Sequence, residues 1–205
     1  MIRLLRYSLR VMVRPFHGFG ELKYEGMRST GAALILMLLA GIAYFVRMLY
    51  SGVAFSGFNP FDFNLLRALV NLALPFALFV VGNWAVSTVL DGEGSMPEIY
   101  CAVCYSLVPY ILAIFLATGL TYIFTLEEAF IISAIETAGL LWSAFMIFAG
   151  LMTMHQYTPK QTVGVIIVTF IFMGLAIFAM ILLSGIWDKL FGYLTSLISE
   201  LKLRM

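Results

Sequence analysis

The stretch DGEGSMPEIYCAVCYSLVP, residues 91–109, begins as an acidic, glycine-rich turn and becomes an apolar run. The apolar run continues over residues 99–124, and a membrane-crossing helix needs about 20 predominantly apolar residues. The turn therefore joins two membrane crossings. The same stretch also holds two cysteines three residues apart, Cys101 and Cys104, which raises the question of a metal or redox site.

The composition of the whole chain indicates a membrane protein. Of its 205 residues, 62% are apolar and 11% are charged, whereas a soluble domain carries about 25% charged residues. Such a chain has too few polar side chains to cover a surface that faces water. We predict a single all-α domain, a polytopic bundle of membrane helices, and we expect no cleaved signal segment.

Five apolar stretches are long enough to cross a membrane, and we predict transmembrane helices over residues 31–50, 68–90, 99–124, 129–154 and 163–183. The connections between them are short, so consecutive helices should be antiparallel neighbours. Pro75 and Pro109 lie inside the second and third spans, where proline usually kinks a helix. Ala113 and Ala117 are small residues four positions apart, a spacing that favours close approach of another helix.

Residues 1–30 form a basic amphipathic segment before the first span. Its arginines recur three and four residues apart, and so share one helical face: Arg3, Arg6, Arg10 and Arg14. The opposite face is apolar: Leu5, Leu9, Met12 and Val13. Such a helix lies on a membrane surface and binds anionic lipid head groups, at about 1 kcal/mol for each Lys or Arg. Pro15 predicts that it ends near Arg14.

Residues 184–205 form a second amphipathic segment, with leucines along one side: Leu190, Leu194, Leu197 and Leu201. We predict an interfacial helix here as well. Lys and Arg are concentrated before the first span, which places the N-terminus in the cytoplasm, and five crossings then place the C-terminus outside.

Glu136 lies about two turns inside the fourth span. Asn71 falls at a similar depth on the second span, and Arg67 lies one turn nearer the outer surface, from where it could reach inward. An acid at membrane depth indicates an ion, proton or substrate site. The alternative is a structural hydrogen bond between helices, which we favour because no second intramembrane acid or histidine completes a proton relay. Asn83, in the cytoplasmic half of the second span, favours interhelical hydrogen bonding too.

A zinc site of two cysteines and two histidines is conceivable, because Cys101, Cys104, His17 and His155 all fall on the predicted cytoplasmic side. A single C-x-x-C is a weak signal, and free cysteine also packs as a small apolar residue. We therefore interpret the cysteines as packing residues. The chain has no phosphate-binding loop and no catalytic constellation, so we expect no enzymatic activity, metal, cofactor or nucleic-acid partner.

Several motifs follow one another in an order that resembles the Yip-one (Ypt-interacting protein) domain family, over roughly residues 14–184. They are Pro15-Phe16, Glu25 to Arg28, Trp84, the turn with Asp91, Gly92, Glu93, Gly94 and Pro97, then Tyr105 to Pro109, Trp142, and the short loop from His155 to Lys160. The resemblance implies a Yip-like membrane domain over residues 31–183 with five spans and a cytoplasmic N-terminus. Eukaryotic members act in vesicle traffic and bind Rab-type GTPases. The short segment before the first span is similar to prokaryotic members, several of which are thought to accompany transport machinery.

The resemblance implies a non-enzymatic scaffold or accessory subunit in a bacterial cytoplasmic membrane, the cell inner membrane. We expect a protein partner or a homo-oligomer. The turn at residues 91–98, the arginine face and the short loop at residues 155–162 should form the cytoplasmic contact surface. The alternative is a small oligomeric transporter or channel that uses Glu136 in the membrane.

Overall fold

A computed structural model describes residues 2–56 and 63–204. These residues contain no strand, and their helices are α1 Ile2–Val13, α2 Pro15–Tyr24, α3 Thr30–Leu49, α4 Leu65–Val89, α5 Met96–Ser106, α6 Val108–Leu120, α7 Ala129–His155 and α8 Pro159–Arg204. Five segments are long and apolar enough to cross a membrane: α3, α4, α5 together with α6, α7 with the short turn before it, and α8. The prediction of an all-α bundle with five spans is confirmed.

The five crossings run alternately between two ends of the bundle. At the first end lie the connections at 25–29, 90–95 and 156–158, and at the second end lie those at 50–56 and 121–128. Contacts across each end hold neighbouring connections together. At the first end Arg28 pairs with Glu98 at 3.2 Å, and at the second end the Gly52 amide donates to the Thr121 hydroxyl at 2.8 Å.

The third crossing, α5 followed by α6, lies at the centre of the bundle. Over its most apolar window 67% of its residues are buried, against 11–22% for the other four crossings. The helices α3, α4 and α7 all pack against it. In a membrane, protein therefore covers most of this crossing, whereas the other four turn most of their surface to lipid.

Pro109 interrupts the third crossing, as the sequence predicts. The helix α5 ends at Ser106 and α6 begins at Val108, with Leu107 between them. The backbone N–H of Tyr110, in the first turn of α6, donates to the Ser143 hydroxyl on α7 at 3.1 Å, so a neighbouring helix satisfies a donor that the break leaves free. By contrast, α4 continues through Pro75.

The small residues of the third crossing allow α7 to come close. Both Ala113 and Ala117 are buried, and a Cβ added at Gly139 of α7 would overlap the side chain of Ala113. Small residues at such a contact let two backbones approach. The close approach that the spacing of the alanines favours is therefore present between α6 and α7.

The N-terminal segment is two helices that pack on the bundle. The first ends at Val13, next to Arg14 as predicted, and Pro15 begins α2 because proline suits the first position of a helix. Of the predicted apolar face of α1, Leu9 and Val13 are exposed, Met12 is partly buried, and the side chain of Leu5 lies outside the described residues. Tyr7 and Val11, which the prediction does not place on that face, are buried. Their burial places the inner face of α1 against the bundle rather than against lipid.

The last helix, α8, runs without a break from Pro159 to Arg204. Residues 184–204 of the amphipathic segment thus continue the fifth crossing instead of forming a separate helix. Close packing is confined to the start of α8, where Thr162, Val165 and Thr169 are buried, and no described side chain beyond Thr169 is buried.

Candidate functional site

The turn between the second and third crossings has a fixed local structure. Asp91 adopts a positive φ of 54°, which reverses the chain after α4, and the Gly92 amide donates to the Ser87 carbonyl at 2.8 Å. A capping box then starts α5, because both the amide and the hydroxyl of Ser95 donate to the Glu98 carboxylate at 2.8 Å.

His155, at the end of α7, uses both of its ring nitrogens to close this turn. Its Nδ1 accepts a hydrogen bond from the Gly94 amide at 3.2 Å. Because an amide can only donate, this bond assigns the ring proton to Nε2, which donates to Asn83 Oδ1 at 3.1 Å. The Asn83 amide in turn donates to Thr169 Oγ1 on α8 at 3.2 Å.

These four residues, Asn83, Gly94, His155 and Thr169, are called the clasp below. The side-chain members are at most 2% exposed, and each is hydrogen-bonded, as buried polar groups need to be. The clasp links α4, the turn, α7 and α8 through one imidazole.

Tyr157 covers the clasp from the side of the 156–158 connection. Its ring stacks on His155 with 5.1 Å between the ring centres, and its hydroxyl donates to the Leu90 carbonyl at 3.1 Å. Burial, reinforced by the nearby Asp91 carboxylate, raises the pKa of Tyr157. The hydroxyl therefore keeps its proton and remains a donor at neutral pH.

The glycines of the turn are required by the closeness of the imidazole. A Cβ added at Gly94 would lie 2.7 Å from the Nδ1 and Cε1 atoms of His155, and one added at Gly92 would lie 2.7 Å from Nδ1. Real Cβ atoms do not come so close to a ring held on both sides. Packing against His155 thus explains why glycine stands at positions 92 and 94 of the turn.

Ion pairs surround the clasp at the first end. Lys23 of α2 donates to the Met154 carbonyl at 2.8 Å and lies 3.5 Å from the Glu93 carboxylate, to which Gln156 also donates. Asp91, Glu93 and Pro97 keep an exposed surface. Lys23, Gln156 and His155 therefore each contact the turn. Its exposed residues, Asp91, Glu93 and Pro97, form a rigid, acidic surface that we call the rim of the clasp.

The family-motif residues Tyr105 and Pro109 lie away from the turn. Tyr105 is completely buried in α5, where its ring meets that of Tyr7 edge-on at 6.0 Å, and Pro109 is buried in α6. Both shape the central crossing. The sequence analysis places the 155–162 loop, with His155 and Tyr157, on the same contact surface as the turn, but it predicts no contact of either side chain with the turn and does not include Lys23.

The structure does not bring together the four candidate zinc ligands. Cys101 and Cys104 are buried in the apolar core, His155 has both nitrogens engaged within the clasp, and His17 pairs with Glu21 at 3.0 Å. In the described part of the chain, no three His, Cys, Asp or Glu side chains converge as metal ligands do. The cysteines pack as apolar residues.

Glu136 forms an ion pair with Arg47, with 2.5 Å between its carboxylate and the Arg47 Nε. The partner is thus Arg47 of α3, not Arg67, which is exposed on α4 together with Asn71. Both members of the pair are about one quarter exposed. The pair neutralises an acid that would be costly at membrane depth and ties α3 to α7.

The arginine face of α1 remains accessible, since Arg6, Arg10 and Arg14 are exposed. The side chain of Arg3 lies outside the described residues. Arg10 also pairs with Glu21 of α2, at 3.3 Å, so that α2 orients one of the surface cations.

Comparison with protein-family models identifies the family of the chain. The family model of the Yip1 domain matches residues 9–181, a range that contains the whole clasp, the Arg47–Glu136 pair and the close contact between α6 and α7. No curated protein and no solved structure matches the chain significantly.

Replacing Asn83 by alanine should destabilise the fold, because the buried Nε2–H of His155 then loses its acceptor. Leaving a buried donor unpaired costs about 1–3 kcal/mol, and each kcal/mol lowers Tm by roughly 2–4 °C for a chain of this size. Thermal unfolding in detergent measures the shift. The matched control is Thr88→Ala, since Thr88 is exposed and donates only to its own helix, at Trp84. Equal shifts in the two variants would contradict the role of the clasp.

Replacing Glu136 by glutamine should lower Tm as well, by an amount that corresponds to about 1–3 kcal/mol, because Arg47 loses a charged hydrogen-bond partner. Glu127→Gln, at an exposed acid in the short 3-10 turn before α7, controls for the loss of one negative charge. If Glu136→Gln kept the wild-type Tm but changed solute flux in liposomes, the pair would be functional and its structural role would be wrong.

Proposed function

From the premise that this chain belongs to the Yip1 domain family, we propose that it is a non-enzymatic membrane scaffold or accessory subunit. In this role it binds other membrane or cytoplasmic proteins, transport machinery among them. The chain is a multi-pass membrane protein with five apolar helices. We place it in a bacterial cytoplasmic membrane.

The distribution of positive charge supports a cytoplasmic N-terminus. Lys23 and Arg28 belong to the first end, where they pair with the carboxylates of Glu93 and Glu98, and Arg6 and Arg10 line a cavity there with Met27. Loops rich in Lys and Arg stay in the cytoplasm. The first end, with the clasp, then faces the cytoplasm, and the far end of α8 lies outside.

The observation that carries the proposal is the free length of α8. Its 46 residues span about 70 Å at 1.5 Å per residue, whereas the hydrocarbon core is about 30 Å thick. Only the start of the helix is buried against the rest of the chain. A helix that extends so far from its own bundle offers its surface to another protein.

The spacing of the apolar residues along α8 indicates which kind of protein packs against it. From Met180 onward apolar residues recur at alternating spacings of three and four: Met180, Leu183, Trp187, Leu190, Leu194, Leu197 and Leu201. This repeat of 3.5 residues is typical of a helix that packs along its length against a parallel helix. We call these seven residues the α8 seam.

A second copy of the chain fits the α8 seam best. The first five seam residues are 40–64% exposed, and covering them on two copies buries on the order of 1,000 Å², the size at which specific interfaces begin. A two-fold axis normal to the membrane brings the same residue of each copy together. Such a dimer presents two copies of the cytoplasmic clasp side by side.

The exposed rim of the clasp is the surface that we assign to cytoplasmic partners. Asp91, Glu93 and Pro97 lie on it, and the turn beneath them is held by His155 and Lys23. A partner that binds a rigid turn does not need to order it first, which lowers the cost of binding.

The alternative of a transporter has less support. The charge of Glu136 is already neutralised by Arg47, and Asn71 and Arg67 do not join this pair but are exposed on α4. The polar residues that would line a path with Glu136 are thus on separate surfaces.

The assembly surface can be tested by disulfide crosslinking of the full chain in native membranes. In a background with Cys101→Ala and Cys104→Ala, Leu194→Cys should form a covalent dimer on mild oxidation, because equivalent seam positions meet in a parallel pair. The matched control is Ser196→Cys, two residues further on the opposite side of the helix, which should remain monomeric. Absence of a dimer from Leu194→Cys, or equal dimer from both, would contradict assembly through the α8 seam.

A further inference from the structure

A cavity of about 520 Å³ opens at the surface of the first end, between α1 and the connection that follows α2. It is lined by Arg6, Tyr7, Arg10 and Met27. The two arginines are four residues apart, so they stand one above the other on the same face of α1. The cavity therefore combines two cations with apolar walls.

The charges around the cavity favour a singly charged anion. Arg6 and Arg10 contribute two positive charges, and Glu21, which lies 3.3 Å from Arg10, offsets one of them. The pairing with Glu21 also limits the directions in which the Arg10 guanidinium can point. Burial, together with the Glu21 carboxylate, raises the pKa of Tyr7, so its hydroxyl stays neutral and does not repel an anion.

The shape and the surroundings favour an amphipathic ligand. Tyr7 and Met27 supply apolar surface inside the cavity, and Leu9 and Val13 are exposed on the outer side of α1. Exposed apolar residues on a basic helix place it in the interfacial layer of a membrane, where lipid phosphates lie. Arginine guanidinium groups bind phosphate oxygens through paired hydrogen bonds.

We propose that this cavity binds the phosphate group of an anionic phospholipid, with Arg6 and Arg10 on the phosphate and with Tyr7 and Met27 against the glycerol and the first acyl carbons. The site goes beyond a general attraction of α1 to a negative membrane. A surface attraction treats every exposed arginine alike, at about 1 kcal/mol each. A built site depends on the two arginines that line it and not on Arg14, which is exposed one turn further along and lies outside the cavity.

The test uses native mass spectrometry of the purified full chain, delipidated in detergent and titrated with dioctanoyl phosphatidylglycerol. The wild type should show one saturable lipid adduct. Arg6→Gln should weaken the apparent Kd about fivefold or more, since about 1 kcal/mol is lost. The matched control Arg14→Gln removes the same charge from the same face and should change Kd less than twofold.

Arg10→Gln provides a second variant. Because Arg10 also pairs with Glu21, its lipid binding is measured together with its Tm. It should weaken lipid binding at a Tm close to that of the wild type. Glycerol phosphate and dioctanoyl phosphatidylcholine distinguish the source of the phosphate, and neither should bind as tightly as phosphatidylglycerol. If Arg14→Gln weakened lipid binding as much as Arg6→Gln does, the arginines would act by surface attraction only. If glycerol phosphate bound as tightly as phosphatidylglycerol, the cavity would be a site for soluble phosphate esters. Absence of a saturable lipid adduct would show that there is no site. Each of these results would overturn the proposal.

Discussion

The bundle depends on one buried imidazole that must be satisfied on both sides. His155 is 2% exposed, and an unpaired polar group at such a position costs more than most single contacts provide. Its Nδ1 therefore needs a donor from the turn, at Gly94, and its Nε2–H needs an acceptor, at Asn83. These two bonds fix where the turn lies relative to α4 and α7, and Thr169 extends the same constraint to α8.

The position of the turn determines the centre of the bundle. The turn leads directly into α5, the start of the crossing that α3, α4 and α7 surround. The family-motif residues are divided between these two tasks, because the turn glycines admit His155 while Tyr105 and Pro109 shape the central crossing. The motifs of this chain thus build a framework, and the surfaces that remain free for function are the arginine face of α1, the acidic rim of the clasp and the length of α8.

Features that depend on nearby residues could be predicted from the sequence. The five crossings follow from the runs of apolar residues, and the break at Pro109 and the end of α1 before Pro15 follow from the covalent geometry of proline. Features that depend on distant residues could not. Gly94 and His155 are 61 positions apart. The sequence places their two loops on the same side of the membrane, but it does not indicate that the imidazole contacts the turn.

Two further differences between the sequence predictions and the structure have specific physical reasons. Counting residues along each helix gives the depth of a Cα atom, but the side chain of Arg47 reaches from the last turn of α3 to Glu136, so Arg67 was the wrong partner. The sequence analysis does not predict that α8 continues past residue 184. An amphipathic stretch next to a span has the composition of an interfacial helix, and this composition is the same whether the two form one helix or two. In α8 the seam continues in phase from Met180 into that stretch, which is the signal of a single helix.

The central claim is that His155 holds the turn closed, and amide hydrogen exchange of the unmodified chain in detergent, followed by NMR, tests it most directly. The Gly94 amide donates to His155, whereas the structure gives the adjacent Glu93 amide no acceptor among the described residues. The account predicts that Gly94 exchanges at least about fivefold more slowly than Glu93 after correction for intrinsic rates, since a net hydrogen bond is worth about 1 kcal/mol. Exchange of Gly94 at the rate of Glu93 would show an open turn and would contradict the account.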